Sequence, residues 1–433
     1  MKFTLPEDAF PALVLSPVQK EAFIREAQAV VHDTLVANEA FLAEGSKFPT
    51  TKWRLVRRKD GLSVYRERRT AANSRAPGQQ KSTHLPSPSS QSSSWTTASD
   101  VSSFSSDDAN ASLMELPAMV LHGTVDGSLD ECMFGAFAPT NEAWRWRSSH
   151  IGDRLDDSRI LATIRLPTHD DPFQFLGIKW FAKENPAILS RLMQQRDYLV
   201  IEATGLTRDS AGEKVGYYLM HSISLSDVPE LTELGIIRAK LSMCFIDRQK
   251  GTGKVEKYCR TFSEPGGRIP GRLAAAVGAE AIISASRIVD YAVVKKLTWF
   301  IKEKRQLQRE RHQKTGSSRP KQCATCYKTF STFASTAFCH ICHHAMCTKC
   351  SVTKKMTIDV SSTGAVKQCA LQFCIKCIME AKEKSVWEMA LSEVETASEI
   401  SSISRSASAG FFVIETFSST NSDGAHMIDP LSN

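Results

Sequence analysis

Cys339-His340-Ile341-Cys342-His343-His344-Ala345-Met346-Cys347-Thr348-Lys349-Cys350 contains two Cys-x-x-Cys doublets separated by only four residues. The same doublet recurs upstream at Cys323/Cys326 and downstream at Cys374/Cys377, so four doublets stand in order with intervals of 12, 4 and 23 residues. Zinc takes four tetrahedral thiolate or imidazole ligands, and one doublet supplies two of them from a single tight turn. Eight thiolates satisfy two Zn2+ ions. The four-residue gap makes it awkward for the second and third doublets to share one ion, which favours interleaving. Cys323, Cys326, Cys347 and Cys350 would then hold one zinc, and Cys339, Cys342, Cys374 and Cys377 the other. Four filled positions leave no place for substrate, so both ions are expected to be structural. Cys369 is spare.

Nine of the twelve cysteines fall within this short stretch, whereas Cys132, Cys244 and Cys259 are scattered through apolar surroundings and read as buried small hydrophobes. In a reducing compartment such clustering argues for metal rather than disulfides. The charge is uneven too. From Arg319 to Lys382 nine Lys/Arg face only Asp359 and Glu380, and the rest of the chain sums to near neutral against a total of +7. Eight thiolates on two divalent ions bring the segment's own balance down to about +3. A modest basic surface gives no reason to expect a nucleic-acid partner.

Working outward, Lys302 to Lys314 is a charged helical run, and residues 306–318 read as a basic helical linker. Before it, Gly271 to about Gln313 forms one long helical pattern, apolar at first and then solvated as it leaves the domain. Strand candidates precede it at 118–123, 159–164, 197–202, 216–223, 239–246 and 254–259. The last four are joined by short Asp/Gly/Lys-rich turns, as in an antiparallel meander with one covered face. Near the start, Ser16-Pro17 signals a helix over 16–44, and Trp53–Val56, Asp60-Gly61 and Leu62–Tyr65 read as a hairpin. Thirteen of the 31 residues from Ser82 to Ser112 are serine, too polar to offset the entropy of ordering, so 82–112 is expected to be a disordered insert. The serine-rich, acidic stretch 392–433 is expected to be a disordered tail. The aromatic group Trp144, Trp146, Phe173, Phe175, Trp180 and Phe181 reads as core rather than cavity lining.

Helix, strands with a helical interruption, an antiparallel meander and a long last helix resemble the START lipid-transfer family. The resemblance covers residues 16–305 and rests on pattern and on Gly123–Leu129, Arg196-Asp197-Tyr198 and the Gly266-Gly267-Arg268-Ile269-Pro270 run before the last helix. It implies an α+β helix-grip fold, a curved antiparallel sheet wrapped on a long C-terminal helix, with a cavity for an apolar lipid. The crossed doublets at 319–382 resemble a FYVE-type zinc finger, a small cross-brace module; a START-like domain followed by such a finger is a pairing found in oomycete proteins. FYVE domains that grip phosphatidylinositol 3-phosphate carry a basic Arg-Arg/Lys-His-His-Cys-Arg run at the third cysteine and Trp-x-x-Asp ahead of the first. Here Ser335-Thr336-Ala337-Phe338 precedes Cys339, and Arg319-Pro320-Lys321-Gln322 precedes Cys323. Neither motif is present, so a phosphoinositide membrane and a protein are equally open as partners of the finger.

A second parsing takes His344 as a ligand and leaves Cys339 out. That set fits RING-finger spacing and would make the chain a ubiquitin ligase. A third reading is a protein-binding scaffold without a lipid. No glycine-rich phosphate loop, nucleophile elbow or paired-carboxylate site occurs, and the preferred expectation is a non-enzymatic lipid-binding, membrane-associated protein. The first residues lack the basic end and apolar stretch of a secretory signal, and no apolar run is long enough to span a bilayer. The expected location is cytoplasmic, with peripheral attachment to endosomal membranes implied by the FYVE resemblance.

Overall fold

Ser16 opens helix α1 (Pro17–Ala43) with a reciprocal cap: its hydroxyl accepts the Gln19 N–H at 3.2 Å while the Gln19 side chain accepts the Ser16 N–H at 2.9 Å. Phe23, Ala27, Val31 and Leu35 recur every four residues along one stripe and are all buried. The chain then forms the hairpin β1 (Trp53–Lys59) and β2 (Leu62–Glu67), turned by Asp60 and Gly61, both at positive φ. An Asp-Gly pair is the residue choice that such a tight turn demands. In this computed structural model the described residues are 3–6, 8–68, 113, 116–185, 193–311, 320–330, 336–361 and 365–403. The serine-rich segment 82–112 lies outside them.

β3 (Met119–Asp126) leads into two short helices, α2 (Leu129–Ala136) and α3 (Asn141–Ile151). Strands β4 (Leu155–Arg165), β5 (Phe175–Lys183), β6 (Arg196–Arg208), β7 (Lys214–Ser222), the two-residue β8 (Ile237–Arg238), β9 (Lys240–Gln249) and β10 (Lys254–Glu264) follow. The sheet order is β1-β2-β3-β10-β9-β7-β6-β5-β4, every pair in it antiparallel, with β8 pairing alongside β6 in parallel. The α+β class expected from the sequence is the one observed: a large antiparallel sheet with helices packed on it.

The sheet is covered on both faces, not one. Along β6, Leu199, Ile201 and Ala203 pack in the layer of α1, whereas Val200 packs in the opposite layer with the C-terminal helices. The reason is α1, whose apolar stripe needs a partner and finds it on what would otherwise be the solvent side. Burial of each large side chain in that stripe contributes roughly 1.5–3 kcal/mol. β5 (Phe175–Lys183), buried almost throughout, falls in none of the expected strands, because its run of mostly apolar residues has no alternation.

The long C-terminal helix is also corrected. It is two helices, α4 (Gly271–Ala285) and α5 (Ile288–Arg311), broken at Ser286-Arg287. The buried Ser286 hydroxyl donates to the Ile283 carbonyl at 2.6 Å, the kind of local bond that competes with the helical ladder. At the restart, the Ile288 carbonyl lies against Gly135 of α2, where any side chain would collide with it. The break thus lets α2 and α5 pack backbone to backbone.

Beyond α5 the cysteine-rich module contains the paired strands β11 (Ala337–Phe338) and β12 (Ala345–Met346). It also holds the hairpin β13 (Ser351–Val360) and β14 (Val366–Cys374) and the helix α6 (Ile375–Glu383). A last helix, α7 (Val386–Ile403), covers residues 392–403, which composition had assigned to a disordered tail. Residues 404–433 lie outside the described residues. Met389 and Ala390 of α7 are buried, which ties this helix to the core. Its apolar anchors lie at Val386, Trp387, Met389 and Ala390, close to the module, and the serine-rich composition that follows masked them.

The module does not stand apart from the sheet domain. Phe134 of α2 and Leu297 and Phe300 of α5 share one apolar cluster with Met346, Phe373 and Met389. Polar contacts frame it: Lys304 of α5 reaches Glu380 at 2.9 Å, and Lys296 bonds Glu131 at 2.7 Å and the Lys382 carbonyl at 3.1 Å. Trp387 of α7 meets Phe173 edge-on at 5.5 Å, with Lys214 over its ring at 4.7 Å. The expectation of a helix departing as a solvated extension is therefore corrected as far as Lys304. α5 is the platform on which the module sits, and 312–318 of the expected linker lie outside the described residues.

Candidate metal centres and a buried polar cluster

The first two cysteine doublets are turns with a shared local design, whereas Cys347/Cys350 close a 3-10 turn and Cys374/Cys377 open a helix. Tyr327 and His343, the residues after Cys326 and Cys342, both lie at positive φ, 59° and 55°, and their N–H groups donate to the carbonyls of Cys323 and Cys339 at 2.8 and 2.9 Å. Left-handed backbone at a bulky residue is uncommon and costs free energy. It persists here because it aims both sulfurs of a doublet to the same side. Cys374 sits at the N-cap of α6, where its sulfur accepts the Cys377 N–H at 3.4 Å, and the Cys339 sulfur accepts the Ile341 N–H at 3.4 Å. A helix N-terminus and inward-pointing N–H groups favour thiolate.

The structure brings the eight sulfurs into two groups, each with all its sulfurs within 4.8 Å of one another: Cys323, Cys326, Cys347 and Cys350, and Cys339, Cys342, Cys374 and Cys377. Doublets one and three meet, as do two and four. The Sγ–Sγ distances between doublets are 3.8 Å for Cys326–Cys347 and 3.8 Å for Cys342–Cys374. A tetrahedron with metal–sulfur bonds of about 2.3 Å has edges of about 3.8 Å, so the donor sets fit such an ion. Hydrogen bonds from the Cys342 and Cys377 thiols pull Cys339 far below its ordinary value, and that sharing pushes Cys377 up. One sulfur of this group is thus already disposed to be a thiolate. Cys369 stands in β14 opposite Met356, outside both groups. His344 is exposed.

The second site lies inside the sheet domain, where sequence reasoning had named nothing but core. Glu202 of β6 is fully buried and accepts Arg147 of α3 through both oxygens, at 3.1 and 2.9 Å, and Lys179 of β5 at 2.7 Å. Lys179 also donates to the Ala138 carbonyl at 3.0 Å and lies over the rings of Trp144 and Phe175 at 4.5 and 4.7 Å. Arg147 also reaches the Ala136 carbonyl and lies over Tyr218 at 5.2 Å. Burial pushes the Glu202 carboxyl up, but the Arg147 guanidinium and the Lys179 ammonium outweigh it and hold the group below its ordinary value. Burial, opposed by Glu202, pulls Lys179 down to about 8. Two cations thus share one carboxylate. Arg147 Nε and the Ser148 hydroxyl are buried with no hydrogen-bond partner among the described residues.

The signal for this cluster was faint: a charged residue in the middle of each of two strand-like runs, Lys179 and Glu202, and an arginine on a tryptophan-bearing helix. A second buried pair, Lys257 and Asp247 at 2.5 Å, sits on neighbouring strands beside Cys132. Trp144, Phe173, Phe175, Trp180 and Phe181 are all buried, as core side chains are, and Trp146 is partly buried. Cys132, Cys244 and Cys259 are buried, as expected, and burial pushes the Cys244 thiol up to about 12.

No protein-family model and no curated protein matches this chain. Among solved structures it is similar to human StAR-related lipid transfer protein 5, at 13% identity with a TM-score of 0.37, covering 63% of this chain and 97% of that one. Human STARD10 matches at 10% identity and a TM-score of 0.35, over 58% of this chain and 77% of that one. A STAR-related lipid transfer protein from Xanthomonas axonopodis matches at 12% identity and a TM-score of 0.32, over 55% and 96%.

Proposed function

We propose that the chain is a non-enzymatic lipid-binding protein in which a START-like domain takes an apolar lipid between the inner face of its sheet and helices α4 and α5. The single observation that carries the reading is the cluster at Glu202. Buried polar groups are nearly always satisfied, by protein, water or ligand. Here a largely apolar layer holds two cations on one carboxylate, with Arg147 Nε and the Ser148 hydroxyl unpartnered among the described residues. A ligand with an apolar body and a polar end would satisfy both halves of that environment. The cytoplasm, with peripheral attachment to membranes, is the location that goes with this reading.

The cysteine-rich module is, in the same proposal, a two-zinc finger of FYVE type with a structural role. Four sulfurs per group and crossed pairing support zinc, since thiolate sets of this geometry suit that ion. The grouping of Cys339 with Cys342, Cys374 and Cys377, together with the exposure of His344, favours the FYVE-type ligand set over the RING-type one.

Native mass spectrometry of the purified full-length protein tests the lipid reading. A co-purified species of lipid mass is expected, and Arg147→Met is expected to lose or exchange it. A spectrum free of adducts, from protein that also takes up no lipid from vesicles, would overturn the reading in favour of a scaffold.

A further inference from the structure

We propose that the β1–β2 hairpin, at the far edge of the sheet, is a docking surface for the anionic phosphate layer of a membrane. Between Lys47 and Arg68 the sequence has eight basic residues and only two acidic ones, a local excess that the near-neutral sum of the chain outside the finger conceals. The register sharpens it. Arg54 of β1 stands directly opposite Arg66 of β2, and like charges placed directly across a strand pair destabilise it. Arg66 donates to the Gly271 carbonyl at 3.1 Å, which holds it at the start of α4 beside the exposed Arg272. The acid that faces the hairpin from α4 is Glu280, taken up by Arg57 at 2.6 Å and Lys59 at 3.8 Å.

Guanidinium groups match phosphate oxygens in planar, two-bond geometry, so phosphates bridging Arg54 and Arg66 would turn a repulsive pair into a shared site. β1 is the terminal strand of the sheet, so a flat partner can approach it edge-on. Leu55, next to Arg54 on the same edge strand but facing the other side with Tyr65, keeps 45% of its surface exposed. An exposed apolar side chain at a cationic edge has no partner on a nucleic-acid backbone, whereas a membrane interface reached edge-on accepts both. Those residues favour a bilayer over other polyanions.

The test is co-sedimentation of the full-length protein with vesicles of phosphatidylcholine, with and without phosphatidylserine. Arg54→Ala/Arg66→Ala is expected to weaken binding to the anionic vesicles about thirtyfold, from the loss of two cations near a charged surface. Arg54→Lys/Arg66→Lys, which keeps the charge, should retain most of the binding, and added salt should weaken the wild type. Lys354→Ala/Lys355→Ala, on the exposed strand of the cysteine-rich module, should leave binding largely unchanged. Three results would overturn the proposal: equal binding by the Arg54→Ala/Arg66→Ala variant, loss confined to the Lys354→Ala/Lys355→Ala variant, or binding of duplex DNA in preference to vesicles. The interior ligand is read separately: the hairpin variant should keep any lipid adduct in native mass spectra, so failure of one proposal is distinguishable from failure of the other.

Discussion

Glu202→Gln isolates the electrostatics of the interior. The amide is nearly the shape of the carboxylate, so packing changes little, but the charge that balances Arg147 and Lys179 is gone. Glu202 is fully buried and takes three charge-assisted hydrogen bonds from these two residues. Removing one partner of a buried ion pair typically costs about 3–5 kcal/mol. On the scale of about 2–4 °C per kcal/mol for a domain of this size, Tm should fall by about 6–20 °C in thermal melts at pH 7. The pH dependence follows from Lys179. Burial already holds it at about 8, against the ordinary 10.5, and Glu202 works the other way. Without Glu202 the folded value drops further. A lysine whose folded value lies below its unfolded one contributes stability that grows as pH rises from the first value towards the second. The deficit of the variant should therefore narrow between pH 7 and pH 9, once Lys179 sheds its proton. Glu202→Gln/Lys179→Met should be less damaged than Glu202→Gln alone. A Tm shift below about 2 °C at pH 7, under 1 kcal/mol on the same scale, would refute the claim that this carboxylate is a buried counterion.

The metal centres and their docking give further expected outcomes. Cys339→Ser should lower zinc content by one equivalent by elemental analysis and His344→Ala should leave it unchanged; the reverse would support the RING-type ligand set. A strong chelator should red-shift tryptophan emission from Trp299 and Trp387 and lower hydrogen-exchange protection in α2 and α5, because Phe134, Leu297 and Phe300 share their core with the finger. Unchanged protection there would contradict that shared core. His150 accepts the Thr357 N–H at 3.4 Å across the same junction and stacks on Tyr291, and burial pulls it down to about 4. Its folded value lies below the unfolded 6.5, so the unfolded chain binds the proton first and stability falls as pH drops from about 6.5 to 4. His150→Phe should flatten that limb of a pH–melting profile; an unaltered limb would count against the contact.

Most of the sheet was legible because its chemistry is local. The Ser16-Pro17 cap, the Asp60-Gly61 turn and the turn-bounded runs of β6, β7, β9 and β10 each follow from a few neighbouring residues. The doublet intervals foretold which cysteines would come together, since a four-residue gap restricts geometry whatever surrounds it. What escaped is non-local. β5 buries both faces, so it has no alternation to betray it. The break at Ser286-Arg287 depends on Gly135 lying under Ile288, more than a hundred residues away in the chain. Glu202 ends a strand candidate and Lys179 lies in none; they form a buried cluster only because α1 covers one face of the sheet and α3 brings Arg147 to the other.

The docking of the finger was hidden for a similar reason, and it alters what the metal centres do. A module this small buries too little apolar surface to be independent without help. Ions bound at the two cysteine groups would supply folding free energy, because the ligands come together only when the chain is folded. Yet Met346, Phe373 and Met389 also need a cover, and α2 and α5 supply it. From the other side, Leu297 and Phe300 of α5 lie in the cluster that these residues of the cysteine-rich module and α7 complete. The two modules thus share one apolar core along α5, whose first turns pack on the inner face of the sheet through Ile288 and Tyr291. On the proposed reading, metal occupancy would thereby become a condition on the helix that walls the lipid site. A chain ended after Arg311 should expose Leu297 and Phe300, bind a hydrophobic dye and melt earlier than the full chain, and a truncated protein as soluble and as stable as the whole would break this coupling.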